Sequence, residues 1–430
     1  MKIQARLFFS LMLLTVTATT GPARADIDPD KVQKLLADHG AAEDHLGYSV
    51  SVDGNTALIG AYGDDTGAPD AGAAYVFVRF GSRWIRQAKI LNPQPDEEDY
   101  FGFSVSVDGN TALIGAYGED SGTTDAGAAY VFVRAADGTW TQQDKIYHPD
   151  PSANDHFGKS VSLSGSTALI GVPKDDDAGH TNQGSAYVFT RTGSEWTEQD
   201  ELANPSPNDN ERFGVTLSLS DNTALIGVPY RNCTAPSKNC GSAYVFTRTD
   251  SSWSMQELTA SDTAHGDKFG SAVSVDGETI LIGAPETDDD GANSGSVYVF
   301  TRSGSAWSEQ DKFTAFDVDA GDRFGLSVAV DGDTAVIGTG SDTDAGSAYI
   351  FTRSGSAWNE QVKLPAHSPA AADYFGASVS VDGDTVLIGA YGDDDGAPDA
   401  GSAYIYGTGS SISINPGFLP AIYLLLLLNK

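Results

Sequence analysis

The most constraining feature of the sequence is one pattern that occurs seven times. Each copy runs through Phe-Gly, a small-Val-Ser-Val segment, Asp-Gly, Thr-Ala-Leu-Ile-Gly-Ala, an acidic loop, Gly-Ser-Ala-Tyr-Val-Phe-Thr-Arg and a segment led by Trp. Each copy is anchored by the glycine of its Phe-Gly position, at Gly47, Gly102, Gly158, Gly214, Gly270, Gly325 and Gly376. Successive glycines are 55, 56, 56, 56, 55 and 51 residues apart. Such a period indicates a repeat architecture, in which shared residues hold the fold and residues that break the pattern are better functional candidates.

Each copy contains the signals of four short strands, as the second copy shows. Residues 104–107 alternate small polar residues with Val, and the Asp-Gly pair at 108–109 favours a tight hairpin turn. Further β-rich segments follow at 111–116, 128–134 and 140–146. Four antiparallel strands per copy are the content of one propeller blade. The sequence therefore predicts an all-β fold, a seven-bladed β-propeller of four-stranded antiparallel blades.

The propeller is predicted to occupy residues 26–406, with repeats starting near 46, 101, 157, 213, 269, 324 and 375. The last copy has no fourth strand with Trp, but residues 31–37 resemble the fourth-strand segment 361–366 of the copy before it. We expect this N-terminal strand to complete the last blade and close the ring, because closure removes two exposed sheet edges.

The first 25 residues read as a signal peptide. Lys2 and Arg6 precede an apolar stretch at 7–16, and Ala23-Arg24-Ala25 is a small-x-small cleavage site. We expect cleavage after Ala25 and an exported protein that is secreted, periplasmic or bound to the cell surface.

Cysteine usage fits export. The chain has two cysteines, Cys233 and Cys240, in one loop. Two thiols are too few ligands for a structural metal site, so a local disulfide is predicted. The same loop has no acid and two cations, and is either a recognition element or a loop that drifted and gained a disulfide for rigidity.

The charge balance restricts the partners. The chain has 59 acidic and 25 basic residues and a net charge of −34. Nucleic acid and anionic lipid need clustered Lys and Arg, so neither is an expected partner. The balance favours cations, basic partners or simply solubility. We expect a monomer.

After the propeller, residues 407–430 form a predicted Gly- and Ser-containing linker and a short apolar tail. The unbroken apolar run at 418–428 is 11 residues long, which is too short to span a bilayer. It packs on the propeller, docks on a membrane or serves as a sorting signal, and these three readings stay open. Membrane contact is expected only through this tail.

Two repeated features are expected to be structural. The first strands carry small residues that we expect to crowd around the propeller axis: Ser49, Ser104, Ser160, Thr216, Ala272, Ser327 and Ser378. Six third strands end in an arginine that we expect to pair with carboxylates: Arg79, Arg134, Arg191, Arg248, Arg302 and Arg353.

The paired motifs resemble a known family. Phe101-Gly102 with Gly115-Ala116, and Phe269-Gly270 with Gly283-Ala284-Pro285, resemble the FG-GAP repeat of the integrin α-subunit propeller and of many exported bacterial proteins. The resemblance covers residues 31–406. It implies a seven-bladed propeller and, by analogy alone, a role in extracellular recognition.

The sequence departs from that family in three ways. The Gly-Ala-Pro element appears in other copies as Gly-Ala-Tyr, Gly-Val-Pro or Gly-Thr-Gly. The first copy has Leu46 in place of Phe. Integrin-type copies carry a calcium loop between the first and second strands, whereas this chain has a tight turn there, as at Asp53–Thr56. Such a turn cannot supply six or more oxygen ligands, so that calcium site does not carry over.

A different calcium site is possible in the loops between second and third strands. These loops cluster carboxylates: Asp64, Asp65, Asp70, Glu119, Asp120, Asp125, Asp288, Asp289, Asp290, Asp393, Asp394, Asp395 and Asp399. Calcium uses such groups. The alternative is that Asp and Gly are ordinary turn formers duplicated with the repeat, and adjacent acids lack EF-hand spacing. A transition-metal site around Asp155-His156 is a weaker hypothesis.

No catalytic motif is present, neither nucleophile elbow, P-loop, dinucleotide fingerprint nor HExxH, so no enzyme is predicted. We expect an exported binding or adhesion scaffold that recognises an extracellular protein or glycan through the acidic loop face. A hydrolase or lyase with a cryptic site is one alternative, and it predicts a deep pocket of non-repeated polar residues. A structural surface protein with no ligand is another, and it predicts even acidity without a pocket.

Overall fold

The structure is a computed structural model that describes residues 27–407 apart from 39, 177–178, 234–238, 251, 341–344, 367–369 and 371. Its 28 strands form seven four-stranded antiparallel sheets. These described residues contain no α-helix, and so none that could cross a membrane. The predicted signal peptide and, except for Gly407, the predicted linker and tail lie outside the described residues.

Each sheet is one blade, and six blades use four consecutive strands. In chain order the strands are β1 (Val32–Leu35); β2 (Val50–Asp53), β3 (Thr56–Ala61), β4 (Ala73–Phe80) and β5 (Arg83–Leu91) in blade 1; β6 (Ser104–Asp108), β7 (Thr111–Ala116), β8 (Ala128–Arg134) and β9 (Trp140–Tyr147) in blade 2; β10 (Ser160–Ser164), β11 (Thr167–Val172), β12 (Ser185–Thr192) and β13 (Glu195–Ala203) in blade 3; β14 (Thr216–Ser220), β15 (Thr223–Val228), β16 (Ser242–Thr249) and β17 (Ser252–Leu258) in blade 4; β18 (Ala272–Asp276), β19 (Thr279–Ala284), β20 (Ser296–Ser303) and β21 (Ala306–Phe313) in blade 5; β22 (Ser327–Asp331), β23 (Thr334–Gly338), β24 (Ser347–Ser354) and β25 (Ala357–Pro365) in blade 6; and β26 (Ser378–Asp382), β27 (Thr385–Ala390) and β28 (Ser402–Gly407) in blade 7.

Blade 7 is completed by the first described strand. Strand β1 lies antiparallel to β28, with Val32 opposite Tyr406 and Leu35 opposite Ala403. Leu35 is buried in a core cluster that reaches blade 1. The two ends of the described chain are therefore joined in one sheet, and the outer edge of β28 is covered.

The Phe-Gly and Gly-Ala motifs mark where neighbouring blades approach most closely. Phe101 is fully buried and packs edge-to-face on Tyr130 at 5.4 Å between ring centroids. Gly102 has φ +91°, and a Cβ added to Gly60 of blade 1 would lie 1.9 Å from the Gly102 carbonyl oxygen. Glycine is required at both positions because one needs a left-handed conformation and the other has no room for a side chain.

Small polar side chains of each first strand hydrogen-bond to the next blade. The Ser49 hydroxyl donates to the carbonyl of Gly102 at 2.9 Å, and the amide of Val107 donates to the Ser51 hydroxyl at 3.0 Å. The Asp53 carboxylate accepts an amide from the next hairpin turn at 2.7 Å. These bonds pair backbone groups on the axial edge of each blade, which would otherwise lack partners in the sheet.

The hydrogen bonds made by the hydroxyls equivalent to that of Ser49 form a nearly complete circle around the axis. Six blades supply a hydroxyl that donates to a carbonyl of the next blade: Ser49, Ser104, Ser160, Thr216, Ser327 and Ser378. Blade 5 has Ala272 instead. The last member donates to Gly47 at 2.8 Å and links blade 7 to blade 1. Hydrogen bonding is thus a second reason, besides crowding, for small side chains here.

The strand-end arginines pair differently from the expectation. Arg134 donates to the hydroxyl of Thr56 in the preceding blade at 3.0 Å and lies over the ring of Trp140 at 5.3 Å. Among the described ion pairs of these arginines, only Arg353 with Asp333 involves a carboxylate, at 2.7 Å. The prediction of carboxylate partners was therefore wrong for most of the set, because a threonine hydroxyl and an indole face occupy the position.

Candidate functional site

The acidic loops between second and third strands are held together by their own carboxylates. Asp64 is buried, accepts hydrogen bonds from Tyr75 Oη at 3.0 Å and the Thr66 amide at 3.0 Å, and pairs with Lys89 Nζ at 2.6 Å. Burial acts to raise the pKa of Asp64, but the hydrogen bonds from Lys89 and Thr66 outweigh it and leave the pKa lowered. This carboxylate joins the loop to β4 and β5.

The first acidic residue has the same role in other blades. Glu119 accepts from Tyr130 Oη at 2.6 Å and pairs with Lys145 at 2.5 Å. Asp393 does the same, since it pairs with Lys34 and accepts from Tyr404. Two acids further along their loops also bind lysines: Asp289 pairs with Lys312 and accepts from Ser296, and Asp395 pairs with Lys34.

The second acidic residue closes its own loop. Its carboxylate accepts a backbone amide five residues further along: Asp65 from Asp70 at 2.9 Å, Asp120 from Asp125 at 2.9 Å, Asp288 from Asn293 at 2.8 Å and Asp394 from Asp399 at 2.8 Å. The donor residues have φ between 51° and 55°, a conformation that Asp and Asn tolerate. Asp290 is exposed, and its amide donates to the Ser294 hydroxyl at 3.1 Å.

These contacts bear on the calcium hypothesis. A cation would have to displace a lysine from the first carboxylate and an amide from the second. Within the described part of the chain, no group of three or more His, Cys, Asp or Glu is placed to hold a metal ion. The ring of His156 instead lies tilted against that of Tyr117 at 4.9 Å between centroids, with Lys174 Nζ 3.2 Å from its Nε2. The calcium hypothesis stays untested, and these contacts favour the alternative that the acids are turn formers.

The disulfide joins Cys233 to Cys240, with their Cα atoms 5.8 Å apart. In the same loop Arg231 points inward and pairs with Glu257 of β17 at 3.0 Å and Glu211 at 3.5 Å. Blade 4 therefore exchanges the positions of acid and base relative to blade 1, where the loop supplies the acid and the fourth strand supplies the lysine. This cation is used within the blade.

A second group of residues surrounds the mouth of the propeller axis on the loop face. The group, here called the axial mouth, has two parts in each blade. One part is the residues on either side of the Phe-Gly pair, before the first strand begins. The other part is the residues one or two positions after Gly-Ala, after the second strand ends. These positions break the repeat. Blades 7, 1 and 2 place aromatic residues there, the aromatic crescent: His45, Tyr48, Tyr62, Tyr100, Phe103, Tyr117, Tyr374 and Tyr391. Blades 3 to 6 place basic residues there, the cationic crescent: His156, Lys159, Lys174, Arg212, Lys268 and Arg323.

The aromatic crescent is a continuous run of ring contacts across three blades. Tyr374 stacks on Tyr391 at 4.8 Å, and Tyr391 lies 5.3 Å from Tyr48 between centroids. Tyr48 then lies 4.6 Å from Phe103, which contacts Tyr117 at 4.6 Å. All five rings retain solvent exposure. The mouth therefore presents partly open aromatic surface on rigid strand ends.

Lys159 lies where the two crescents meet. Its Nζ lies 3.6 Å from the ring centroid of Phe103 and 3.5 Å from that of Tyr117. Burial, and then the positive charges of Lys174 and Arg212, lower the pKa of Lys159 to about 7. Among the described residues, no carboxylate lies within ion-pair distance of these three cations. A group whose pKa is strongly perturbed by burial and by specific neighbouring charges is a functional-site candidate.

Burial, and then the same neighbouring cations, lower the pKa of His156 to about 4. Its ring is therefore neutral at pH 7, and positive charge at this end of the crescent resides on lysine and arginine.

The other end of the cationic crescent borders a cavity of about 220 Å³. Its lining includes Tyr230, Lys268, Glu286, Arg323 and Leu326. Lys268 pairs with Glu286 at 2.7 Å, the one carboxylate of this lining. The cavity thus offers an aromatic surface, two cations, a hydrogen-bond acceptor and an aliphatic wall.

The axial mouth was not predicted from the sequence, in which the acidic loops are the more conspicuous feature. A signal was available: across the seven copies, the residue after Phe-Gly is Tyr48, Phe103, Lys159, Val215, Ser271, Leu326 and Ala377, in a column flanked by repeated residues. Comparing the copies position by position would have identified this column as one that breaks the pattern.

Fold and site together define a repeat propeller in which a symmetric scaffold carries one asymmetric surface. The model of the FG-GAP repeat matches seven segments of the chain: 29–77, 84–132, 140–189, 196–246, 253–300, 307–351 and 358–406. These segments cover most of the sequence, so the chain belongs to the FG-GAP repeat family.

Other comparisons add information about the fold only. No curated protein matches the chain. Among solved structures, a chain of "Crystal Structure of Mitotic Checkpoint Complex" is similar with a TM-score of 0.53 and 13% identity, over 94% of this chain and 98% of that chain. At this identity the similarity shows a shared fold and nothing about ligands.

Proposed function

We propose that this protein is an exported binding scaffold that recognises an extracellular protein or glycan at the axial mouth. The FG-GAP propeller fold is consistent with a binding or scaffold role. The observation that carries the proposal is the aromatic crescent, a continuous run of half-buried rings at positions that break the repeat. Aromatic side chains of this kind are enriched in binding sites and interfaces.

The fold does not require these aromatic residues. Blades 4, 5 and 6 have Val215, Ser271 and Leu326 at the position of Tyr48 and Phe103. Their first strands nevertheless pack around the same axis, and blades 4 and 6 make the same hydrogen bond to the following blade. A continuous run of aromatic contacts across three neighbouring blades is therefore better explained by a ligand than by ring closure.

The proposal places the ligand inside the ring of acidic loops and not on the acids themselves. Most of the loop carboxylates already accept hydrogen bonds or pair with lysines, as Asp64 and Asp65 show. The loops then frame the mouth and contribute negative potential around it. Recognition is assigned to the rings and cations at the centre.

The test compares variants of the full mature chain on a panel of immobilised polysaccharides and extracellular-matrix proteins. Tyr62→Ala and Tyr117→Ala remove rings of the aromatic crescent. Tyr147→Ala is the matched control, since Tyr147 lies outside the mouth at the end of β9 and is 51% exposed. Circular dichroism and thermal unfolding check that each variant is folded.

We expect any ligand that the wild-type protein retains to bind the Tyr147→Ala protein as tightly as it binds the wild-type protein. The same ligand should bind Tyr62→Ala and Tyr117→Ala at least about tenfold more weakly, which is a typical loss for an interface hot spot. Equal binding by all variants would place the ligand elsewhere. A structural surface protein without a ligand would retain no member of the panel.

A further inference from the structure

The geometry points to an acidic saccharide as the ligand of the axial mouth, with a carboxylate or sulfate held by the cationic crescent and an adjoining sugar ring held by the aromatic crescent. This inference rests on the proposed function and names the chemical class of its ligand. It follows from three features of the described residues: unbalanced charge, the environment of Lys159 and the cavity beside Lys268.

The first feature is positive charge concentrated on an acidic protein. Acidic residues outnumber basic residues 59 to 25 in the chain, yet five lysines and arginines gather at the mouth with Glu286 as the carboxylate of the cavity lining. Elsewhere the described lysines of the blades are paired, as Lys89 is with Asp64 at 2.6 Å. Lys268 pairs with Glu286, and the other four cations of the mouth have no carboxylate within ion-pair distance among the described residues, so an anionic ligand can pair with them.

The second feature is that Lys159 is partly buried and has no carboxylate partner among the described residues. Its ammonium contacts the faces of Phe103 and Tyr117, and Lys174 and Arg212 repel it. Aromatic faces compensate only part of the lost hydration of an ammonium group. A bound anion would relieve both the desolvation and the mutual repulsion, so the free site is arranged for an anion.

The third feature is the size and lining of the cavity. Its volume of about 220 Å³ is below that of pockets which enclose drug-sized ligands, and suits a group the size of one monosaccharide. Tyr230 and Leu326 offer apolar surface to a sugar ring, Arg323 offers donors to an acidic group, and Glu286 accepts from hydroxyls. Arg212 lies 5.1 Å from the Tyr230 ring and connects this cavity to Lys159.

An acidic protein segment is the competing ligand. A stable protein interface buries about 800 Å² on each partner and uses a broad surface, whereas the cavity beside Lys268 is a small depression of about 220 Å³. The aromatic rings would contact a sugar unit next to the acidic one. The observations therefore favour a saccharide, and an acidic peptide serves as the comparison.

The experiment is isothermal titration calorimetry of the full mature chain at pH 6.5 and low ionic strength. The probes are tetragalacturonate, a sulfated tetrasaccharide, neutral maltotetraose and hexaglutamate. The variants are Lys159→Gln and Arg323→Gln in the cationic crescent, Tyr62→Ala in the aromatic crescent and Arg83→Gln as a matched charge control. Arg83 is exposed at the turn between β4 and β5, on the opposite face of the ring.

We expect one of the two acidic saccharides to bind at least tenfold more tightly than maltotetraose and hexaglutamate, and the comparison of the two identifies carboxylate or sulfate as the recognised group. Lys159→Gln and Arg323→Gln should each weaken that binding about fivefold or more, since each removes one charge-assisted contact. Arg83→Gln should leave it unchanged.

Several outcomes would overturn the inference. It fails if both acidic saccharides bind with a dissociation constant above about 1 mM, which is too weak for a specific site. It fails as well if hexaglutamate binds as tightly as the better of the two saccharides. It also fails if Lys159→Gln and Arg323→Gln behave as Arg83→Gln does. If maltotetraose binds as well as the acidic probes and only Tyr62→Ala weakens it, the acidic-ligand inference is lost while the proposed function survives.

Discussion

Lys159 illustrates how one residue departs from the repeat at a measurable energetic cost. Its pKa is lowered from 10.5 to about 7, chiefly by burial and also by Lys174 and Arg212. Between these two pH values the unfolded chain binds a proton that the folded chain does not, so the contribution of Lys159 to stability rises with pH. Below pH 7 both states are protonated and the cost of the buried charge is complete.

This sign gives a prediction for Lys159→Gln. The unfolding temperature of the wild-type protein minus that of the variant should increase between pH 7 and pH 10, because only the wild-type protein is relieved of the buried charge. Differential scanning calorimetry at pH 7, 8.5 and 10 measures it, with Arg83→Gln as the control whose difference stays constant. A difference for Lys159→Gln that does not change with pH would contradict the pKa assigned to this lysine.

The circle of hydroxyls around the axis has one gap, which gives a second prediction at the residue scale. Ala272→Ser should add the missing bond from blade 5 to the Gly325 carbonyl and raise the free energy of unfolding by about 0.5–1 kcal/mol, the usual net value of one hydrogen bond. Ser160→Ala is the reciprocal change and should lower it by a similar amount or more, because Ser160 donates to Gly214 at 2.7 Å.

Urea unfolding of both proteins provides the measurement. If Ala272→Ser were destabilising and Ser160→Ala had no effect, the small residues would act through crowding alone. Sequence reasoning placed these residues at the axis correctly, since they form one repeated column. It could not show their hydrogen bonds, because the partners belong to the next copy.

At the scale of strands, the sequence was a good guide to what each copy forms. The second copy was expected to have strands at 111–116 and 128–134, and β7 and β8 occupy these residues. Alternating Val and Ser, β-branched runs and Asp-Gly turns are local signals, so they can be interpreted without knowledge of the tertiary structure.

The β-bulges in the outer strands are a feature that the sequence of a single copy does not predict. In blade 1 the pairing shifts between Val76 and Phe77, which leaves Gln87 of β5 without an opposite residue. The Gln87 side chain then accepts a hydrogen bond from the Trp140 indole of blade 2 at 3.0 Å. Such a bulge depends on a contact between blades, and no pattern within one copy predicts it.

Strand β1 gives a third prediction, on the element that completes blade 7. Leu35→Ala should lower the free energy of unfolding by about 2–4 kcal/mol, because Leu35 is 1% exposed in the core between blades 7 and 1. Leu36→Ala is the matched control, since Leu36 is 41% exposed and its truncation should lower the free energy of unfolding by less than about 0.5 kcal/mol. Equal losses in urea unfolding would mean that β1 is not docked on β28.

The acidic loops give a fourth prediction. After EDTA treatment, Ca²⁺ should not raise the unfolding temperature beyond the rise caused by NaCl at matched ionic strength. The reason is that Lys89 already neutralises Asp64, and the Asp65 carboxylate already accepts the Asp70 amide. A saturable rise that Asp65→Asn or Asp394→Asn abolishes would contradict this and identify the loops as a cation site.

At the scale of the whole molecule, seven similar blades form a ring whose symmetry is broken at one mouth. Duplication explains the shared Phe-Gly, Gly-Ala and axial Ser positions, which serve packing and hydrogen bonding between blades. The mouth differs because seven copies of one column meet there and have diverged into an aromatic arc and a cationic arc. A repeat protein can thus gain a specific site without altering its scaffold.

The sequence predicted the ring but not its mouth, and the reason is geometric. Periodicity reports which residues are alike, and closure of the ring then determines which unlike residues become neighbours. Tyr391 and Tyr48 are far apart in the chain but lie 5.3 Å apart between ring centroids because blade 7 adjoins blade 1. The acidic loops were conspicuous in composition, whereas the mouth is visible only after the blades are placed around the axis.

The most direct measurement is a crystal structure of the mature protein with the tightest-binding acidic tetrasaccharide. Our account predicts electron density for a sugar unit at the axial mouth, with its carboxylate or sulfate within hydrogen-bond distance of Lys159, Lys268 or Arg323 and a neighbouring sugar ring against the aromatic crescent. Density on the acidic loops, on the outer strands or on the opposite face, with an empty mouth, would contradict it.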